Sequence, residues 1–307
     1  LWTQTVPGSG SLGGPIRANH LDDLRRWYDT SQQGLANYQF PKVRPLLFGI
    51  VPSWADQQRA GQRYYTDDQM LTAIKAAGAT CVRWGVGWDV AEPNQPVNEV
   101  HTYIWDTDPA NNVIDYRVNK ALAYGLTYVA DVGGCPPWAN GGNQGTLMPP
   151  TGDPTASPPS GHAPDLQAFL TALATHLKGR VRHYEFVNEP NGFSNWQYPM
   201  GVVNDYQRGQ SYAPWLRLGY QALKAPDASV WVASGGVDSL GGPMNFIWGM
   251  LDWAKANGAT LFDAVAAHPY PPPYPIDEGA ATPSNCPPPQ SPPPNPNPPM
   301  PQRGLTG

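Results

Sequence analysis

Charged side chains are scarce in this chain. Asp, Glu, Lys and Arg make up 14% of 307 residues, with a net charge of −5. That balance argues against nucleic acid or an anionic membrane as the main partner. Cysteine is scarcer still. Cys81, Cys135 and Cys286 show no metal-ligand spacing, and an odd number excludes a complete disulfide framework. The six histidines are scattered with no pair on one strand, so neither a metal centre nor another cofactor is expected. No apolar run reaches the length of a membrane span, and no signal peptide opens the chain. It begins at Leu1 rather than Met, which predicts a start that is missing or was removed.

Other residues are plentiful. Apolar residues at 40% allow a sizeable core, in one large domain or two small ones. Glycine (32) and proline (37) predict long ordered loops and at least one unstructured segment. Twelve tryptophans and fifteen tyrosines serve either core packing or the stacking of sugar rings, and composition alone does not choose.

Residues 1–45 lack a clear strand and read as an N-terminal extension. Gly8–Gly13 formally fits a dinucleotide fingerprint, but no strand precedes it and Gly14-Pro15 follows it, so it is dismissed. From Leu46 a regular order begins. Strands are expected over Leu46–Val51, Thr80–Val86, Leu126–Val132, Val181–Asn188, Val230–Ser234 and Leu261–Ala267. Helices are expected after Thr66-Asp-Asp-Gln69, which is a capping box, and near Val113–Tyr124, Pro164–Lys178, Pro214–Lys224 and Met244–Ala256. Apolar strands alternating with amphipathic helices mean parallel βαβ units. Between Pro283 and Pro301 eleven of nineteen residues are proline, which excludes a central strand or helix there. The expected organisation is an extension over 1–45, a barrel over 46–282 and a Pro-rich loop or linker over 283–307.

Two α/β architectures fit six βα units. An open doubly wound sheet needs no closure but concentrates its site at one switch point. A (β/α)8 TIM barrel, incomplete in this chain with strands one to six present, places functional residues after strand upon strand. Trp88, Trp138, Asn188-Glu189 and His268-Tyr270 follow that second pattern. Asn188-Glu189-Pro190 sets a carboxylate beside an amide at a strand end, where the alternative role for Glu189 is to cap the next helix.

The chain resembles retaining glycoside hydrolases of clan A, the barrel group holding β-xylosidases, cellulases and mannanases. The resemblance runs from about Leu46 to Tyr270. Val82-Arg83-Trp84 through Trp88, Ala91-Glu92-Pro93, Tyr103-Ile-Trp-Asp106 and Tyr124-Gly-Leu126 carry it first. Pro136-Pro-Trp-Ala139, Asn188-Glu189-Pro190 and His268-Pro-Tyr270 follow in order. It implies hydrolysis of a β-linked polysaccharide or oligosaccharide, with Glu189 as general acid/base and Asn188 binding the sugar's 2-hydroxyl. The group's nucleophile ends strand seven, which would lie beyond Gly307. Arg83 resembles the arginine that keeps the nucleophile ionised, or else it pairs with Glu185. Trp88 and Trp138 are candidate sugar walls, and His268 and Tyr270 would flank the nucleophile. Asn191, Phe193 and Trp196 are subsite candidates.

A carbohydrate partner and an extracellular location follow from that function, while the oligomeric state is not legible. Cys135 and Cys286 are both expected on the loop face, within conceivable pairing distance. The alternative function is a non-catalytic carbohydrate-binding barrel. Residues 1–307 alone, with two open strand edges, are expected to be poorly stable and inactive.

Overall fold

The structure is a computed structural model that describes residues 47, 49–51, 58–59, 62–63, 66–105, 114–142, 148–192, 195–238 and 242–268. All belong to one compact unit, Leu1–His268. Its frame is a five-stranded parallel sheet. In spatial order the strands are β1 (Gly49–Ile50), β4 (Cys81–Gly87), β5 (Thr127–Gly133), β6 (His183–Phe186) and β7 (Trp231–Ser234). Sequential neighbours pair side by side, as βαβ units require, apart from a small antiparallel pair, β2 (Gln58–Arg59) and β3 (Gln62–Arg63), between the first two.

The helices form where the sequence signals them. α1 (Asp67–Ala76) opens with both halves of the capping box. Thr66 Oγ1 accepts from Gln69 N–H at 3.2 Å, and Gln69 Oε1 accepts from Thr66 N–H at 2.8 Å. Gly78 ends the turn at φ +82°, a conformation glycine adopts without cost. A short helix α2 (Trp88–Ala91) follows β4, and α3 (Ile114–Ala123) precedes β5. α4 (Ala163–His176) buries Leu166, Phe169, Leu170 and Leu173 on one stripe, then α5 (Asp205–Lys224) and α6 (Pro243–Ala256) complete the layer.

Alternation along the strands separates two faces. Val82, Trp84 and Val86 of β4 and Tyr128, Ala130 and Val132 of β5 are buried. The opposite face carries Arg83, Gly85 and Gly87, with Val129, Asp131 and Gly133 in register beside them and Glu185 beside Asp131. In a barrel this second face points inward. The described strands are an arc of such a barrel, with charge on its inner side.

Three elements differ from the sequence reading. The fourth strand ends at Phe186 instead of Asn188, because Val187 turns to φ +66° and Glu189 to φ +46°. The helix expected from Pro214 begins nine residues earlier. Asn204 Oδ1 accepts from Gln207 N–H at 2.9 Å as its N-cap, so Pro214 lies inside the helix. The sixth strand, expected over Leu261–Ala267, survives as a bridge from Ala264 to Ala233 and a two-residue strand β9 (Ala267–His268) beside β8 (Val237–Asp238). Side chains take over part of the ladder there. Asp263 Oδ2 accepts from Val232 N–H at 2.9 Å and Ser234 Oγ from Ala266 N–H at 3.0 Å.

Candidate active site

Arg83 is the hub of the inner face. Its Nε donates to Glu185 Oε2 at 2.7 Å, and its Nη2 donates to Glu185 Oε1 and Asn188 Oδ1, both at 2.8 Å. Asp131 Oδ2 lies 3.2 Å from the same Nη2. Arg83 is therefore the partner of Glu185, the alternative the sequence had left open. Because an arginine can only donate, Asn188 must present its oxygen to Arg83 and its NH2 away from it. One guanidinium thus orients the amide beside Glu189.

Glu189 stands on a turn built from backbone. Val187 N–H donates to Val132 O at 2.8 Å, and Glu189 N–H donates to Gly236 O at 3.1 Å. A β-branched residue at positive φ costs about 1–3 kcal/mol and persists only where its surroundings over-determine it. The surroundings here are tight. Tyr212 Oη donates to Phe186 O at 2.6 Å and accepts from Gly235 N–H at 3.0 Å. Gly236 N–H donates to Glu185 Oε1 at 2.8 Å, so one glycine grips both glutamates.

His268 reaches the same place from β9. Its Nδ1 is 2.8 Å from Glu189 Oε1, and its Nε2 is 3.9 Å from Glu185 Oε1. A carboxyl and an imidazole at that distance share one proton, whichever group carries it. Gly236 makes room for the ring, since a Cβ there would fall 2.1 Å from His268 Nε2.

The structure thus gathers Arg83, Asn188, Glu189 and His268 at one end of the sheet and adds Glu185 and Asp131 to them. Asp131 carries no sequence signal beyond its place inside a strand; only its register beside Glu185 brings it to Arg83. Burial pushes its carboxyl up to about 6 against the lowering effect of Arg83, with Glu185 and Glu189 adding to the rise and His268 opposing it. Among the described residues its Oδ1 has no hydrogen-bond partner. The folded protein holds this proton more tightly than the unfolded chain does. Stability is therefore lost as pH climbs from about 4 through 6. Asp131→Asn is expected to raise unfolding stability by about 2–3 kcal/mol near pH 8 and to change it little near pH 4, read from urea midpoints. An equal gain at both pH values would show that this carboxyl is not the cause.

The aromatic candidates divide. Trp88 is fully buried, stacked on Phe169 at 5.8 Å and meeting Trp138 edge-on, and its indole N–H donates to Glu92 Oε2 at 2.9 Å. No face of it is open to a sugar, so its position is that of core packing. Trp138 is half-buried on the loop after β5, with its N–H on Glu92 O at 3.1 Å. Asn191 is buried with both amide atoms on the Asp238 backbone, at 2.8 and 3.0 Å, and Trp196 is buried against Tyr212. Both brace the turn. Cys135 is a buried free thiol whose pKa is pushed up by burial. Tyr270, Phe193 and Cys286 lie outside the described residues. Among the described residues no group of three or more His, Cys, Asp or Glu is placed to hold a metal ion, and no helix is long and apolar enough to cross a membrane.

The parallel βα arc is that of an incomplete (β/α)8 barrel, and solved structures share the fold. A family 39 glycoside hydrolase from Bacteroides cellulosilyticus WH2 superposes with a TM-score of 0.50 at 20% identity, over 74% of this chain and 38% of that one. The GH39 enzyme from Xanthomonas axonopodis pv. citri gives 0.52 at 17% identity, over 76% and 42%. The chain therefore spans about two fifths of the length of these structures. The family model described as Cellulase (glycosyl hydrolase family 5) matches residues 41–227, and the chain belongs to that family. Among curated proteins, none matches its sequence.

Proposed function

We propose that the protein hydrolyses O-glycosidic bonds in β-linked polysaccharide or oligosaccharide with retention of configuration, using Glu189 as general acid/base. The observation that carries this reading is the seat of Glu189. Its carboxyl stands on a backbone-locked turn at the strand end, 2.8 Å from the His268 imidazole. In this mechanism the protonated Glu189 carboxyl protonates the leaving oxygen, and the resulting carboxylate takes a proton from the water that releases the sugar. The Asn188 NH2, turned outward by Arg83, meets a sugar hydroxyl. Glu185 and Asp131 are both engaged by Arg83, and the proposal assigns the nucleophile to a further carboxylate at the end of a seventh strand. A polysaccharide substrate places the protein outside the cell.

In the full-length protein Glu189→Gln, which keeps the shape of the side chain, is expected to lower turnover of an aryl β-glycoside by about 10²–10⁴-fold while leaving the melting temperature unchanged. Wild-type turnover by the variant would end this proposal. Binding of β-glucan oligosaccharides by a wild-type protein that never turns them over would instead identify a non-catalytic binding barrel.

A further inference from the structure

A second hollow lies on the helical layer. Residues 153–160, in the loop after β5, form a strap with a closed base. Ser160 N–H donates to Asp153 O at 3.1 Å, Asp153 N–H to Ser160 Oγ at 3.2 Å, and Thr155 N–H to Asp153 Oδ1 at 2.7 Å. Gly152 and Gly161 pinch the base together. A Cβ on Gly152 would sit 2.2 Å from Ser160 O, and one on Gly161 2.6 Å from Gly152 Cα. Beside the strap, Arg217 and Gln221 on α5, Gln167 on α4 and Trp253 on α6 line an open hollow of about 270 Å³.

The formal charge of this hollow comes from one residue, Arg217. Among the described residues no carboxylate lines it. Arg83, Arg180 and Arg208 each hold a carboxylate, whereas Arg217 has no hydrogen-bond or ion-pair partner among the described residues. The side-chain amides of Gln167 and Gln221 and the Trp253 indole N–H are equally unengaged there. The strap therefore borders one half-buried guanidinium, two exposed amides and a half-buried indole, none of them engaged by the described residues. A planar guanidinium binds a carboxylate through two parallel hydrogen bonds, amides pair with hydroxyls, and an indole face packs against ring C–H groups. The volume lies below the roughly 300–1,000 Å³ of drug-sized sites, which suits a single ring and not a chain.

We propose that this hollow is a secondary binding site for a carboxylated sugar, a hexuronate, with its carboxylate on Arg217 and its ring against Trp253. The sugar half of the assignment rests on the glycosidase reading; the anion half stands on Arg217 alone.

The test is titration of the purified protein with glucuronate, glucose and acetate, following the Trp253 indole N–H by NMR and the Kd by calorimetry. Glucuronate is expected to shift that resonance saturably, with glucose and acetate at least about tenfold weaker. Arg217→Gln should weaken glucuronate at least about tenfold at an unchanged melting temperature, since no partner of Arg217 is lost. If that variant does not fold, Gln221→Glu sets a carboxylate in the hollow and should abolish binding. An unmoved Trp253 resonance, or wild-type affinity in Arg217→Gln or Gln221→Glu, overturns the proposal. Acetate binding as tightly as glucuronate overturns the sugar half. Glu189→Gln should leave glucuronate binding intact, so a failure of the hydrolase reading and a failure of this site give different results.

Discussion

Arg83→Met is expected to cost about 3–5 kcal/mol of folding stability, measured from urea midpoints near neutral pH. Methionine fills much the same volume, so the loss is electrostatic. Removing the guanidinium leaves the Glu185 carboxylate, 7% exposed, with a single backbone N–H from Gly236 in place of three donors. Asp131 loses its cation as well, and Asn188 loses the donor that orients its amide. Burying an unpaired carboxylate is what makes breaking such a pair costly. A compensating change tests that cause. Arg83→Met combined with Glu185→Leu should recover most of the loss, because replacing both members of a buried pair by apolar groups is close to neutral. A double variant no more stable than Arg83→Met would refute the electrostatic account. Hydrolysis should stay low in both variants, since neither restores the orientation of Asn188.

Gly235→Ala is the second large effect, and it acts through sterics. A Cβ at this position would lie 2.0 Å from Val187 O and 2.6 Å from Pro190 Cδ. Both belong to the turn that carries Glu189, and neither is the end of a flexible side chain. The backbone must shift, at a cost of about 3 kcal/mol, the upper part of the range for overpacking. Gly236→Ala is the informative neighbour. Its Cβ would overlap the His268 ring, which can swing aside and release Glu189. Gly235→Ala should therefore lose both stability and turnover, whereas Gly236→Ala should lose turnover with much less stability. If the two variants melted alike, the assignment of Gly235 to the turn and Gly236 to the histidine would not hold.

Much of the frame is legible from local chemistry. Thr66 and Gln69 announce α1, and the apolar stripe from Leu166 to Leu173 announces α4, because capping and helical periodicity act within a few residues. The misplaced elements involve competition between local signals and distant partners. Pro214 reads as a helix start, but Asn204 caps the helix earlier and tertiary packing carries it past the proline. The run Val181–Asn188 has strand propensity throughout. It breaks at Val187 because Val132, Tyr212 and the Gly235-Gly236 pair hold a left-handed turn that no property of valine favours.

The site divides along the same line. Glu189, Asn188 and His268 were visible as residue types at strand ends and Arg83 as a charge within a strand, since strand order and side-chain parity follow from sequence periodicity. The partner of Arg83, the outward turn of the Asn188 amide and the raised pKa of Asp131 depend on distances across parallel strands far apart in the chain. So does the open Arg217 beside its strap. By itself the sequence determined the alternation of strands and helices, the family, and which groups can do chemistry, because these rest on short-range patterns. Tertiary structure alone decided which of those groups meet. Hydrogen bonding and charge pairing are decided over a few ångströms, and only the folded register brings residues a hundred positions apart, such as Arg83 and Glu185, that close.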